Sequence, residues 1–365
     1  MKVECVLEKL KEVVPQVDRV TGKNLALPVL NAILMVASGK TLKFRATNLD
    51  LGIEIEVPAK IDKEGVVLIP GGVLNSVITS LYSSKNAILE KHGPNLSITT
   101  SHNKILIKTY PEEDFPTIPV VSGEEMVFDV EKIIAAFRSV SYSAALSDIK
   151  PEISSVYVYE HGSDLVCVAT DSFRLAEKKI KLKKPSGINN ILIPIRNIIE
   201  VVRIFDGKHG EVKLVMGKNQ IAFSYENIYL TSRVIDGAFP DYKQILPKEH
   251  HTEAVVLKHD LINAMRTAAI FSGKFNELKI VIAPKQRKFE FHTKHPEVGE
   301  NVTTIEGALS GDPIEANFNY RYIFDSLQSI NDDSVALYFT TEHKPLVIKG
   351  VKDASFLYLV MPLNR

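Results

Sequence analysis

Few residues in this 365-residue chain are spaced for catalysis. Ser38-Gly39-Lys40-Thr41 follows an apolar run and has the residue types that end a phosphate-binding loop, where backbone amides, a lysine and a hydroxyl cradle a nucleotide. That loop needs a glycine five positions before Gly39, and Leu34 stands there. The residues after Thr41 also continue as a strand where a helix should begin, so the stretch reads as a hairpin turn. His292 and His295 are three apart on a predicted strand, and His250-His251 are adjacent on a predicted linker. Neither pair offers the converging ligands that a metal requires. Asp332-Asp333 reads as a turn after a helix. Cys5 and Cys167, the only two cysteines, each lie inside an apolar run and read as buried packing, with no disulfide or zinc spacing. No glycine-flanked serine nucleophile or zinc-protease helix occurs, so the residues support neither an enzyme nor a cofactor.

What the sequence repeats is a scaffold. Three times a β-type run opens straight into an amphipathic helix: Ile69 to Ile78, Ile193 to Val202, and Phe318 to Leu327. Pro70 to Pro194 is 124 positions and Pro194 to Asn319 is 125. A second helical stretch recurs at Glu8-Lys9-Leu10, Glu131-Lys132-Ile133 and His259-Asp260-Leu261, and in the middle copy Ile133, Phe137 and Val140 share one helix face. Between them lie alternating strands such as Thr41 to Arg45, Asn103 to Lys108 and Ser154 to Tyr159. The copies end alike, at Asp114-Phe115-Pro116, Phe239-Pro240-Asp241 and Val360-Met361-Pro362. One unit built three times follows from a fixed long period. We expect an α+β fold of three domains, residues 1–122, 123–247 and 248–365.

Composition is that of an ordinary folded protein, 45% apolar and 24% charged. No basic region followed by an apolar one opens the sequence, and the longest apolar stretch, Leu25 to Ala37, is broken by Pro28 and Asn31 and is too short to span a membrane. A reducing cytoplasm is the expected location. Lys and Arg total 44 and Asp and Glu total 44, so any affinity for nucleic acid must come from charge sorted onto one face.

Thr170-Asp171-Ser172-Phe173-Arg174-Leu175-Ala176, Phe239-Pro240-Asp241-Tyr242-Lys243-Gln244-Ile245-Leu246-Pro247 and the terminal Tyr358-Leu359-Val360-Met361-Pro362-Leu363 resemble the bacterial DNA polymerase III beta subunit, the sliding clamp. The likeness covers the whole chain, its threefold repeat and Leu27-Pro28-Val29-Leu30. It implies a head-to-tail homodimer, a ring of six domains whose helices line a hole enclosing duplex DNA. The ring would tether the replicative polymerase and meet the clamp loader and repair proteins through short hydrophobic motifs.

Carried over position by position, the resemblance implies a partner-peptide cleft. Ile153, Thr170, Ser172, Phe173, Arg174 and Leu175 come from the second repeat, with Pro240 and Ile245 from its end. Asn319, Tyr322 and Pro345 come from the third, with Leu359, Met361, Pro362 and Leu363 at the terminus. Ser172 replaces the family's usual glycine and Phe173 a histidine or tyrosine. The dimer contact would place Ile105 and Ile107 of one copy against Ile270, Phe271 and Phe275 of the other. DNA-facing candidates are Arg196 and Arg203, which share a face with Glu200 opposite Ile195, Ile198 and Val202, with Lys9, Lys132, Arg138, Arg266 and Arg321 on helices and Lys23 and Lys150 in loops. Against a uniformly basic hole, Gly71, Gly72 and Val73 stand where relatives commonly carry basic residues. The rival expectations are a monomeric interaction protein of the same fold and an enzyme with an interdomain site.

Overall fold

The computed structural model describes residues 1–22, 27–182 and 190–363. Lys23 therefore lies outside the described residues. Six α-helices occur among them: α1 (Leu7–Val20), α2 (Gly71–Ser80), α3 (Val130–Ser141), α4 (Ile195–Phe205), α5 (Lys258–Ile270) and α6 (Tyr320–Ser326). The strands before α2, α4 and α6 end at Pro70, Pro194 and Asn319, the three positions from which the period was counted. In α1, Leu7, Leu10, Val13, Val14, Val17 and Val20 are buried, the three-to-four spacing of one face. Ile133, Phe137 and Val140 of α3 are buried as expected. In α4 the buried residues are Ile195, Asn197, Ile198, Val201, Ile204 and Phe205; Val202, expected on the apolar face, is only half-buried.

One compact unit comprises Met1–Glu131 with Ile199–Val234. Its eight-stranded sheet runs Glu124–Asp129, Glu211–Met216, Gln220–Tyr225, Ile228–Arg233, Leu51–Pro58, Thr41–Thr47, Ala32–Ser38 and Gly65–Pro70. A five-stranded sheet runs Lys60–Lys63, Lys2–Val6, Asn86–His92, Asn95–Thr99 and Lys104–Lys108. Alternation works as the sequence implied: Leu42, Phe44 and Ala46 are buried, while Lys43 and Arg45 on the other face pair with Glu54 at 3.2 and 2.5 Å. Ser38 and Thr41 face each other across a two-residue turn with Gly39 at φ +63°. The Gly39 amide donates to the Glu64 carboxylate at 2.7 Å, so the lookalike phosphate loop is a hairpin already occupied by an anion. Within this unit α1 packs on α2, and an added Cβ at Gly71 would come within 2.5 Å of Asp18 Oδ1. The missing side chain there has a steric cause, whereas Gly72 faces open space.

The other unit comprises Lys132–Ile198 with Ile235–Arg365. Its nine-stranded sheet runs Ile191–Pro194, Ser155–His161, Asp164–Thr170, Arg174–Lys181, Phe356–Val360, Leu346–Gly350, Ser334–Phe339, Thr252–Leu257 and Gly307–Gly311. A four-stranded sheet runs Gly299–Thr304, Lys288–His295, Glu277–Ala283 and Ile314–Asn319.

The two large sheets are joined by one rule. In the first unit Leu51–Pro58, fourth strand of the first repeat, pairs antiparallel with Ile228–Arg233, last strand of the second, from Ile55↔Ile228 to Leu51↔Ser232. In the second unit Arg174–Lys181, fourth strand of the second repeat, pairs with Phe356–Val360, last strand of the third, from Arg174↔Val360 to Lys178↔Phe356. Each joint satisfies backbone groups that a sheet edge would leave open.

Candidate functional site

The strands Asp164–Thr170 and Arg174–Lys181 are connected by a turn whose backbone is pinned on both sides. Thr170 Oγ1 donates to the Arg174 carbonyl at 2.7 Å, and Asp171 Oδ1 accepts from the amides of Phe173 and Arg174, both at 3.0 Å. Ser172 sits at φ +77°, a left-handed conformation that suits glycine, the residue the resemblance leads one to expect there. The Phe173 carbonyl accepts from the Met361 amide at 2.8 Å, tying the turn to the terminal segment. With its backbone held, the Phe173 ring stands 60% exposed.

Arg174 is committed within the fold. Its Nε donates to Asp171 at 2.9 Å and one terminal nitrogen to Asp325 of α6 at 2.7 Å, while the guanidinium lies 4.5 Å from the Tyr322 ring centroid. Burial alone would lower its pKa; Tyr358, Asp171 and Asp325 outweigh that and raise it, so the charge is permanent. Asn319 is likewise in use, its side chain accepting from the Arg321 amide at 3.0 Å to cap α6.

The expected cleft residues separate into layers. Ser172, Phe173, Pro240 and Ile245 are exposed; Ile153, Arg174, Asn319, Tyr322, Met361 and Leu363 are half-buried. Thr170, Leu175, Pro345, Leu359 and Pro362 are buried. Leu175 and Leu359, expected in the cleft, are paired across neighbouring strands in a cluster with Tyr159, Val166, Val168 and Tyr242, and Met361 packs on that cluster.

Each of the four sheets has two edge strands, and two of these eight are the repeat's equivalents of the joined strands. Lys104–Lys108 ends the five-stranded sheet and Gly299–Thr304 ends the four-stranded one. On the first, Ile105 is half-buried, but Ile107 is 6% exposed and turned into its own domain; the outward apolar residue is Leu106, 62% exposed between Lys104 and Lys108. The two-residue alternation of the strand places Leu106 and Ile107 on opposite faces. On the second, Val302 is 57% exposed. A Cβ placed on Gly299 would lie 3.8 Å from the Phe271 ring, so Phe271 sits at that edge; Ile270 and Phe275 are also exposed.

Arg196 pairs with Asp148 at 2.8 Å and Arg203 with Glu200 at 2.6 Å; Lys9 pairs with Glu12 at 3.0 Å. Lys132, Arg138, Lys150, Arg266 and Arg321 are exposed. α2 carries no charged residue. Among the described residues no helix is long and apolar enough to cross a membrane, and no group of three His, Cys, Asp or Glu could hold a metal. His292 is instead hydrogen-bonded to Glu290 at 2.7 Å, and His250 packs against the Tyr338 ring. Asp332 accepts from the amides of Lys352 and Asp353. Burial pushes both cysteine thiols up to about 12, leaving them unreactive.

Sequence reasoning missed Leu106, Asp325 and the tyrosines around Arg174. Leu106 was readable from the alternation with Lys104 and Lys108. Asp325 lies 151 residues from Arg174 and has no local signal.

Models of the DNA polymerase III beta subunit match the chain in order: the N-terminal domain over residues 1–119, the central domain over 128–241 and the C-terminal domain over 243–364. The beta sliding clamp of Synechococcus elongatus is 24% identical, covering 100% of this chain and 99% of its own length. That of Staphylococcus epidermidis is 24% identical over 93% of this chain and 92% of its own. The DNA polymerase sliding clamp of Bacillus subtilis superposes with a TM-score of 0.94 at 23% identity, covering 100% of this chain and 99% of its own. The DNA polymerase III beta subunit of Thermotoga maritima gives 0.93 at 24%, with the same coverage; at these identities the structural likeness speaks for the fold. Matched in all three domains, the chain belongs to the DNA polymerase III beta subunit family, the beta sliding clamps, whose part in replication is processivity without catalysis.

Proposed function

We propose that two copies of this chain close head to tail into a ring around duplex DNA. One observation carries the reading. Inside the chain, the fourth strand of one repeat pairs with the last strand of the next, twice. The first repeat's last strand, Lys104–Lys108, and the third repeat's fourth, Gly299–Thr304, are the two members left over, and both are edges. A second copy supplies the missing partner for each. Charge agrees, because Lys104 and Lys108 flank one edge and Glu300 lies in the other. An asymmetric joint of this kind either closes or grows into a filament. Closure after two chains makes six domains, with the domain boundaries near residues 122 and 248.

Exposed basic groups at Lys9, Lys132, Arg138, Arg196, Arg203, Arg266 and Arg321 suit phosphate contact, which holds a duplex without reading its sequence and so permits sliding. Lys23 and Lys150 are proposed alongside them. The exposed and half-buried ring of Phe173, Ile245, Pro240, Tyr322 and Met361 suits an extended peptide with Leu and Phe anchors, the route by which polymerase, loader and repair proteins would share the ring in the cytoplasm. Exchange among such partners calls for affinities near micromolar, about −8 kcal/mol.

The test is retention on circular against linear duplex DNA after loading, with sedimentation run alongside. A dimer that stays on circles and leaves linear ends supports topological tethering. A monomer released equally from both refutes the ring.

A further inference from the structure

The apolar face beneath the proposed cleft contains one carboxylate. Glu177 is 5% exposed on the strand Arg174–Lys181, two strands from Tyr159, with Val166 and Val168 between. Tyr242, also 5% exposed, arrives from the 3-10 turn Tyr242–Ile245 and spans the gap: its hydroxyl bonds Glu177 Oε2 and lies 2.7 Å from the Tyr159 hydroxyl. Glu177 Oε1 accepts from Lys179 at 3.1 Å. The direction of each bond follows. Burial, with Glu177 and Tyr159 adding to it, raises the Tyr242 phenol, so it keeps its proton and donates it to the carboxylate. Tyr159 must then donate to Tyr242. The same segment is gripped from above, with Phe239 stacked on Tyr157 at 4.8 Å and the Lys243 ammonium 5.4 Å from the Tyr159 ring centroid.

A carboxylate sunk in an apolar sheet face is costly unless its bonds are complete, and an apolar side chain of similar size would pack there at less cost. What the carboxylate adds is direction: a hydrogen bond fixes where Tyr242 sits, whereas apolar contact tolerates sliding. Tyr242 opens the turn whose far end is Ile245 and follows Pro240 by two residues. Both of those are exposed, whereas Tyr242 between them is buried.

We propose that Glu177 and Tyr242 are positioning residues for partner binding. Their bond holds the turn so that Ile245 and Pro240 stand as a preformed cleft wall. The inference rests on the cleft reading above. Preformation cuts the ordering cost of binding, so its loss shows as weaker affinity.

The experiment titrates a fluorescein-labelled synthetic peptide carrying Leu and Phe anchors against the full-length protein, Tyr242→Phe, and Tyr242→Phe combined with Glu177→Val. The single variant keeps the ring and loses the hydroxyl; the double variant also removes the stranded carboxylate. The expected result is a five- to tenfold weaker affinity in the single variant. In the double variant the thermal midpoint recovers and affinity stays weak. Unchanged affinity in the single variant overturns the proposal. Affinity and midpoint recovering together also overturn it, since the network would then be structural only. If the unsubstituted protein itself fails to bind the peptide, the cleft reading falls and the positioning role falls with it.

Discussion

The joint between Arg174–Lys181 and Phe356–Val360 and the bare edge at Lys104–Lys108 are built from equivalent strands of the repeat and have opposite surfaces. In the joint, Leu175 and Leu359 are fully buried and Arg174 is held by two carboxylates. At the edge, Leu106 is exposed between two lysines and, among the described residues, no strand covers the outer backbone. The joint can afford large aliphatics because the covalent chain guarantees its partner. An open edge leaves its backbone groups to water, and flanking lysines discourage pairing with a wrong strand. In the proposed ring, affinity at this edge would come from a few apolar groups, Leu106 on one side and Ile270, Phe271 and Val302 on the other.

The largest expected effect breaks that contrast at the edge. Leu106→Asp or Phe271→Asp should leave each chain folded and reduce the sedimenting species to the single-chain mass of 40.6 kDa. Retention on circular DNA should vanish with it. Intact dimers in both variants would remove these residues from the closing contact.

Next in size are two substitutions at the closed joint that separate support from surface. Leu175→Ala empties a fully buried site and should cost about 2–5 kcal/mol of stability in a denaturant titration. Met361→Ala, half-buried at the surface, should instead weaken the Leu- and Phe-bearing peptide about tenfold, about 1.4 kcal/mol, and leave the dimer mass unchanged. The reverse pattern would show that the layers have been misassigned.

A smaller change concerns the turn beside the joint. Ser172 holds φ +77° at a cost that glycine avoids, so Ser172→Gly should raise stability by about 0.5–1 kcal/mol. A loss in the same titration would mean that the hydroxyl or reduced chain entropy outweighs the strain.

The smallest effect lies on the outward face of the first unit's large sheet. Burial would raise the Glu54 carboxyl, but Arg45 and Lys43 outweigh it and hold its pKa below the ordinary 4.5. A lowered carboxyl contributes stability that is present above the unfolded value and lost as pH falls through the folded one. Acid melts should therefore weaken below about 4.5, and Glu54→Gln should flatten that part of the profile. An identical profile in the variant would show that the pair contributes nothing, as exposed pairs often do.

Much of this molecule is legible in its residues. The threefold period, the strand-to-helix transitions at Pro70, Pro194 and Asn319, and the buried faces of α1 and α3 all follow from local rules, because helix and strand periodicity are set within a few residues. The hairpin at Gly39 was readable for the same reason. The cleft was legible only as a set of motifs: the resemblance named its residues without saying which of them face solvent.

The sequence by itself determined the repeat, the element order, the absence of catalytic spacing and the family's signature segments. Tertiary structure decided the rest. Leu175 and Leu359 met in one buried cluster, Arg174 was tied to Asp325, Glu177 met Tyr242, and Leu106 rather than Ile107 faced outward at the edge. Each of those outcomes depends on which strands pair and in what register. Register is a long-range property: a slip of one residue exchanges the inner and outer faces of a whole strand.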